Sequence, residues 1–167
     1  VQNCAVADNG QGMSGATTVA NGYIAGNTGD GVAQGAISNS TIVGNTGSGV
    51  NGFTSLVNSW VVGNGATGVA SSGAGAVSNS SILGNSGVGT LNIASLNGSR
   101  IYGNDRKNLS RGWQAQDSIA LGAGDRNFEN NWWGAANTAL LLAGAEFDNM
   151  TFLQDTLDGS GNWLFDV

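Results

Sequence analysis

The segment Asn39-Ser-Thr-Ile-Val-Gly-Asn-Thr-Gly-Ser-Gly-Val50 is one copy of a pattern that recurs every 18 to 21 residues between Asn3 and about Asn104. A unit this short cannot bury an apolar face by itself, so it must stack on its neighbours. The recurrence therefore predicts a solenoid in which successive copies of the pattern form successive coils.

Three columns of residues define the repeat. Each unit opens on an asparagine, at Asn3, Asn21, Asn39, Asn58, Asn79 and Asn97. An aliphatic residue follows, at Val6, Ile24, Ile42, Val61, Ile82 and, after a one-residue insertion, Ile101. Three residues after the aliphatic comes a second asparagine, at Asn9, Asn27, Asn45, Asn64, Asn85 and Asn104.

Within one unit these columns describe three short strands and three corners. The β-branched Ser40-Thr-Ile-Val43 predicts a strand, and the Gly44-Asn45 pair ends it because both residues tolerate the positive φ of a sharp corner. Further strands are expected from Val50 and around Leu56-Val57. Asparagines repeated at one place predict a ladder of stacked amides. The alternative, Asn-Gly hairpin turns in a β-sandwich, does not require a regular interval.

Composition is compatible with one narrow, continuous core. The chain has 167 residues, 40% of them apolar, with 29 glycines and no proline. Proline would remove a ladder hydrogen bond, and the regular aliphatic columns argue against disorder. Net charge is -6, and all five basic residues lie between positions 100 and 126, so nucleic acid is not an expected partner.

Cys4 is the only cysteine and aligns with Gly22, Ser40, Ser59 and Ser80, which predicts a small packed residue. A catalytic thiol usually needs a neighbouring base, and the chain has no histidine. No apolar stretch reaches the roughly 18 residues of a membrane span. The chain begins inside a repeat at Val1, so earlier coils or an N-terminal cap are expected in the parent protein.

With its columns aligned, the chain resembles the right-handed parallel β-helix superfamily of pectate-lyase-like repeat proteins. The resemblance implies an all-β, single-stranded, right-handed parallel β-helix of about six or seven coils. The coils would occupy residues 1–134, and residues 135–167 would form a C-terminal cap within the same domain. Asn130-Asn-Trp-Trp-Gly134 and Asp155–Phe165 look like the last coil and closure of bacterial surface β-helix proteins. Trp132, Trp133, Trp163 and Phe165 would cover the open end.

The superfamily includes polysaccharide lyases, glycoside hydrolases, phage tailspikes and noncatalytic surface modules. Its enzymes use several carboxylates, sometimes with calcium, on the central coils. Here residues 1–99 contain only Asp8 and Asp30 as carboxylates, so we predict no catalytic residue, metal or cofactor. The enzymatic alternative would use candidates between residues 100 and 129, namely Asp105, Asp117, Asp125, Arg106 and Lys107.

Two surfaces are candidates for binding. The first is the charged stretch with Arg100, Tyr102, Arg106, Arg111 and Trp113, whose guanidinium groups and rings suit an anionic sugar. Local ion pairs around a packed Trp113 are the alternative there. The second is an outward column, Ala5, Tyr23, Thr41, Trp60 and Ser81.

Tyr23 and Trp60 would lie two coils apart, about 10 Å at the usual rung spacing and close to two sugar units. Aromatic platforms at this interval are typical of polysaccharide binding. They would otherwise cover a flank of the solenoid or contact a neighbouring chain, since homo-oligomers are common among tailspike-like relatives.

Other motifs give weaker indications of function. Only Asp30 supplies the aspartate that calcium-binding nonapeptide repeats need. The glycosylation patterns at Asn39, Asn79 and Asn97 use opening asparagines, which we expect to be buried. A lesser alternative is ice binding by an uncharged rod, although Thr28 and Thr46 give way to Gly65 and Ser86. The sequence thus predicts a noncatalytic extracellular module, part of a larger protein, for cell-surface structure or polysaccharide binding.

Overall fold

The computed structural model describes residues 1–72, 74–91 and 93–104, apart from the side chain of Tyr102. These residues form an all-β parallel solenoid with about five turns and no helix. The predicted six or seven coils and the C-terminal cap extend beyond residue 104, outside the described residues. The strands are β1 (Ala5–Ala7), β2 (Met13–Ser14), β3 (Thr18–Ala20), β4 (Tyr23–Ala25), β5 (Val32–Ser38), β6 (Thr41–Val43), β7 (Val50–Val57), β8 (Trp60–Val62), β9 (Val69–Ala70), β10 (Ala76–Ser78), β11 (Ser81–Leu83), β12 (Thr90–Leu91), β13 (Ser95–Asn97) and β14 (Arg100–Tyr102).

One sheet stacks a single three-residue strand from each described coil. Its order is β1-β4-β6-β8-β11-β14, and every pair is parallel and in register. Residues that are equivalent in the repeat therefore lie directly above one another.

The other sheet has eight strands and joins two sides of the coil. The sequence predicts two short strands here in each coil. In two coils they fuse into single strands, β5 and β7, which pair along their length with a shift of register between Gly35 and Ala36. Other coils keep short pieces, with β9 and β10 both pairing with β7.

The core is the inside of the coil. The predicted aliphatic column is confirmed, because Ile24, Ile42, Val61, Ile82 and Ile101 are all fully buried. A second buried file, Val32, Val50, Val69 and Thr90, faces it, and a third contains Ile37, Leu56, Val77 and Leu96. Phe53 and Ile93 fill the remaining interior. Each fully buried Val, Ile, Leu or Phe side chain stabilises the fold by roughly 1.5–3 kcal/mol through burial.

The second asparagine column forms the predicted ladder inside a corner. Asn27 Nδ2 donates to Asn45 Oδ1 at 2.8 Å, and Asn45 Nδ2 donates to Asn64 Oδ1 at 2.9 Å. The same geometry continues through Asn85 to Asn104. Backbone amides join in, since Asn45 N donates to Asn64 Oδ1 at 3.0 Å.

A serine ladder, which the sequence analysis did not predict, runs through another corner. Ser40 N donates to Ser59 Oγ at 3.1 Å, and Ser59 N donates to Ser80 Oγ at 3.1 Å. Each hydroxyl also donates to the carbonyl two residues earlier, as Ser40 Oγ does to Ser38 O at 2.7 Å. Cys4, half-buried, precedes β1 at the equivalent place in the first coil.

Two expectations about the opening asparagines are wrong. Five of these residues are exposed, not buried, and have φ between 48° and 52°: Asn3, Asn21, Asn39, Asn58 and Asn79. Asn97 lies in β13 opposite Ser78, and Gly98, with φ of 56°, takes the corner in the last described coil. The left-handed backbone turns each side chain outward. Burial therefore does not exclude glycosylation at Asn39 and Asn79.

Candidate functional site

The outer face of the six-stranded sheet carries one file of alternating small and large side chains. Strand register places Ala5, Tyr23, Thr41, Trp60, Ser81 and Arg100 on successive rungs. Every second member is large. The three large side chains are therefore separated by equal steps of about 10 Å, two rungs each.

Strand alternation explains why the aromatic rings face solvent. Ile24 and Val61, the next residues in β4 and β8, point into the core and are fully buried. Their neighbours Tyr23 and Trp60 must then point outward, and they are 51% and 53% exposed. Apart from the N-terminal Val1, they are the only large hydrophobic residues that are exposed in the described part of the chain.

Arg100 joins this file, which the sequence analysis did not foresee. The insertion in the last repeat separates Arg100 from the outward column by simple counting, but β14 pairs with β11 so that Arg100 lies opposite Ser81. Arg100 is exposed. The structure thus unites part of the charged stretch with the aromatic column, two rungs beyond Trp60.

A second, aliphatic file runs beside the first. It contains the third residue of the first five strands of the six-stranded sheet, Ala7, Ala25, Val43, Val62 and Leu83. All but the exposed Ala7 are half-buried. The alternation of inward and outward residues in each strand is the sequence signal for this file. The signal is weak because each strand has only three residues.

An exposed amide file borders the aromatic file on its other side. Asn21, Asn39, Asn58 and Asn79 each precede an outward residue of the first file by two positions. Asn21 Nδ2 donates to Asn3 Oδ1 at 3.0 Å, and Asn58 Nδ2 donates to Asn39 Oδ1 at 3.4 Å. The sequence does not indicate this file, because the repeat predicts that these asparagines are buried.

The two carboxylates of the described coils, Asp8 and Asp30, both lie at turns of the solenoid. Asp30 is a structural group: its Oδ1 accepts from Ser48 N at 2.8 Å and its Oδ2 from Asn51 Nδ2 at 3.1 Å. Asp8 occupies a corner with φ of 57°, beside Gly26 of the next coil. Within residues 1–72, 74–91 and 93–104, no three His, Cys, Asp or Glu side chains cluster as metal ligands.

Most of the charged candidates lie outside the described residues. These are Asp105, Arg106, Lys107, Arg111, Trp113, Asp117 and Asp125. Tyr102 ends β14, but its side chain is not described. The binding and enzymatic hypotheses for this stretch stay predictions.

The file considered under the lesser ice-binding alternative contains residues of different types. Backbone hydrogen bonds place Thr28, Thr46, Gly65 and Ser86 on successive rungs, each donating to the preceding coil. Thr28 Oγ1 is also turned to backbone carbonyls, donating to Gly10 O at 3.0 Å. A gap at Gly65 interrupts the hydroxyl array.

No family model, curated protein or solved structure matches this chain. None of the described segments forms a helix that is long and apolar enough to cross a membrane.

Proposed function

We propose that this chain is a noncatalytic extracellular β-helix module of a larger protein that binds polysaccharide at the outer face of its six-stranded sheet. The observation that carries the proposal is the pair of half-exposed rings, Tyr23 and Trp60, in one file. Their separation of two rungs, about 10 Å, suits every second sugar of an extended glycan.

Each ring would stack on the apolar face of a sugar ring. Thr41, the only residue between them in the file, is too small to block an extended chain that rests on both platforms. The neighbouring aliphatic file offers further apolar contact beside Trp60, at Val43 and Val62. Rigid spacing favours such binding because little conformational entropy is lost when the ligand docks.

Arg100 would add a charge-assisted contact at the third large position. A guanidinium group binds carboxylate, sulfate or phosphate in a bidentate fork. The proposal therefore includes acidic glycans whose chain extends two sugar units beyond Trp60 toward Arg100, above the buried Ser81 that lies between them.

The test is a glycan array that contains neutral and acidic polysaccharides, probed with wild type and Trp60→Ala. We expect the variant to lose at least tenfold in affinity for the glycan retained best by wild type, since one of two stacking platforms is gone. Trp60→Tyr should keep most of the binding.

Thr54→Ala is the matched control for surface substitution, because Thr54 is exposed on the other sheet. Unchanged binding by Trp60→Ala, or no retention of any glycan by wild type, would reject the proposal. Loss of an oligomer in Trp60→Ala by sedimentation would instead assign this face to contact between chains.

A further inference from the structure

The two asparagine ladders use their amides to different extents. A primary amide has two N–H donors and an oxygen with two lone pairs. In the buried ladder Asn45 uses all four: its Nδ2 donates to Ile24 O and Asn64 Oδ1, at 3.4 and 2.9 Å, and its Oδ1 accepts from Asn27 N and Nδ2, at 3.0 and 2.8 Å.

In the exposed file the amides make fewer hydrogen bonds. Asn39 Oδ1 accepts one bond, from Asn58 Nδ2 at 3.4 Å, and Asn3 Oδ1 accepts one, from Asn21 Nδ2 at 3.0 Å. Asn39 and Asn58 are both exposed, and within the described residues no protein group takes the second N–H of Asn58 or the second lone pair of Asn39. The corner therefore presents ready donors and acceptors at the rung spacing.

The exposed amide file lies beside the rings of Tyr23 and Trp60, so a glycan stacked on these rings would also lie next to the amides. Asn58 precedes Trp60 by two residues, Asn39 precedes Thr41, and Asn21 precedes Tyr23, so an amide flanks every rung between the rings. If two rungs span two sugars, one amide meets each sugar. Stacking alone cannot distinguish hydroxyl patterns, whereas an amide beside the ring can.

We infer that Asn39 and Asn58 are specificity-determining residues, which hydrogen-bond the hydroxyl groups along one edge of a linear, extended glycan stacked on Tyr23 and Trp60. This inference rests on the proposed function. The ligand class is an unbranched glycan with free hydroxyls on the edge that faces the amide file. Substituents on that edge would prevent binding.

Glycine is the substitution that removes an amide and keeps the backbone conformation of the corner. Gly98 occupies the same place in the last described coil with φ of 56°, and Asn58 has φ of 49°. Asn58→Gly and Asn39→Gly should therefore leave the backbone in place. Asn58→Asp is a second variant, because Asp8 shows that aspartate also tolerates a left-handed corner of this solenoid.

The experiment is calorimetric titration of the full chain with four linear hexasaccharides: cellohexaose, β-1,4-mannohexaose, chitohexaose and hexagalacturonate. For the tightest of them we expect Asn58→Gly and Asn39→Gly to bind about five- to tenfold more weakly, with an unchanged thermal midpoint. Asn58→Asp should also lose affinity, since it lacks the donor. Thr54→Ala is the control.

The outcomes separate the inference from the proposed function. If both glycine variants bind like wild type while Trp60→Ala does not, the amide assignment is wrong and the platform stands. If an O-methylated form of the tightest hexasaccharide binds equally well, the assignment is wrong too. If none of the four binds, the amide assignment is overturned, whereas the glycan array by itself decides whether the face binds polysaccharide.

Discussion

At the scale of single residues, asparagine serves two opposite purposes in this solenoid. From Asn27 to Asn104 in the second column its amide is buried and replaces backbone partners that the corner lacks, as Asn64 does for Ile42 O at 3.3 Å. At the opening column it is chosen for its backbone, since asparagine tolerates left-handed φ at low cost, and its amide remains in solvent. The same residue type therefore stabilises the interior in one file and equips the surface in the other.

The buried ladder should be intolerant of truncation. Asn64→Ala removes the acceptor for Asn45 N and Nδ2 and the donor to Ile42 O and Asn85 Oδ1. Unsatisfied buried groups on both neighbouring coils should lower the free energy of unfolding by roughly 2–4 kcal/mol. Urea denaturation measures this, with Asn58→Gly as the exposed comparison. Equal midpoints for the two variants would contradict the distinction between the files.

At the scale of elements, short strands are held in register by close approach at the glycine that precedes each inward valine. A Cβ on Gly49 would lie 2.3 Å from Val61 Cγ1, 2.7 Å from Gly68 O and 2.8 Å from Asn64 Nδ2. The neighbouring rung and the amide ladder thus leave no room for a methyl group. Glycine here is required by packing, because its φ is not in the left-handed region.

Gly49→Ala should consequently displace β7 from β9 and destabilise the fold by roughly 2–4 kcal/mol. Gly10→Ala is the matched control, since a Cβ there meets nothing within 4 Å and its φ is not left-handed. Thermal unfolding followed by circular dichroism compares the two. A Gly49→Ala protein as stable as Gly10→Ala would show that the rungs can separate freely.

At the scale of the whole molecule, stability is a sum over neighbouring coils. Each rung of the aliphatic column contacts the rung before and the rung after, so a defect in the middle weakens two interfaces. Ile42 lies between Ile24 and Val61 and is fully buried, whereas Val6 in the first described coil is half-buried. The centre of the stack should therefore be more sensitive than its first coil.

Ile42→Ala should cost roughly 2–5 kcal/mol, through lost burial and a cavity that rigid rungs cannot close. Ile42→Val should cost about 1 kcal/mol and Val6→Ala less than Ile42→Ala. Hydrogen exchange of the Ile42→Ala variant would show which strands are destabilised. We expect amide protection to fall in β4, β6 and β8 together. A loss of protection confined to β6 would argue against coupling between neighbouring coils.

The columns of the repeat were enough to predict the solenoid, the buried aliphatic file and the amide ladder, because an interval of 18 to 21 residues fixes which side chains stack. The pairing of Tyr23 with Trp60 on one outward file followed from the same count. The charged candidates beyond Asn104 stay predictions on sequence grounds.

Counting could not decide three features that depend on hydrogen-bond register and backbone conformation. The corner at Gly98 instead of Asn97 is set by strand pairing, and it brings Arg100 into line with the aromatic rings. Fusion of two strands into β5 and β7 depends on how adjacent coils pair. Exposure of the opening asparagines depends on the sign of φ. The sequence does not give that sign, because both columns of the repeat contain the same residue type. The sequence by itself determined which residues stack, because the interval of the repeat fixes their spacing along the chain. Only the tertiary structure decided which way the corner amides point and which residue forms the corner of the last described coil, because both depend on local backbone geometry.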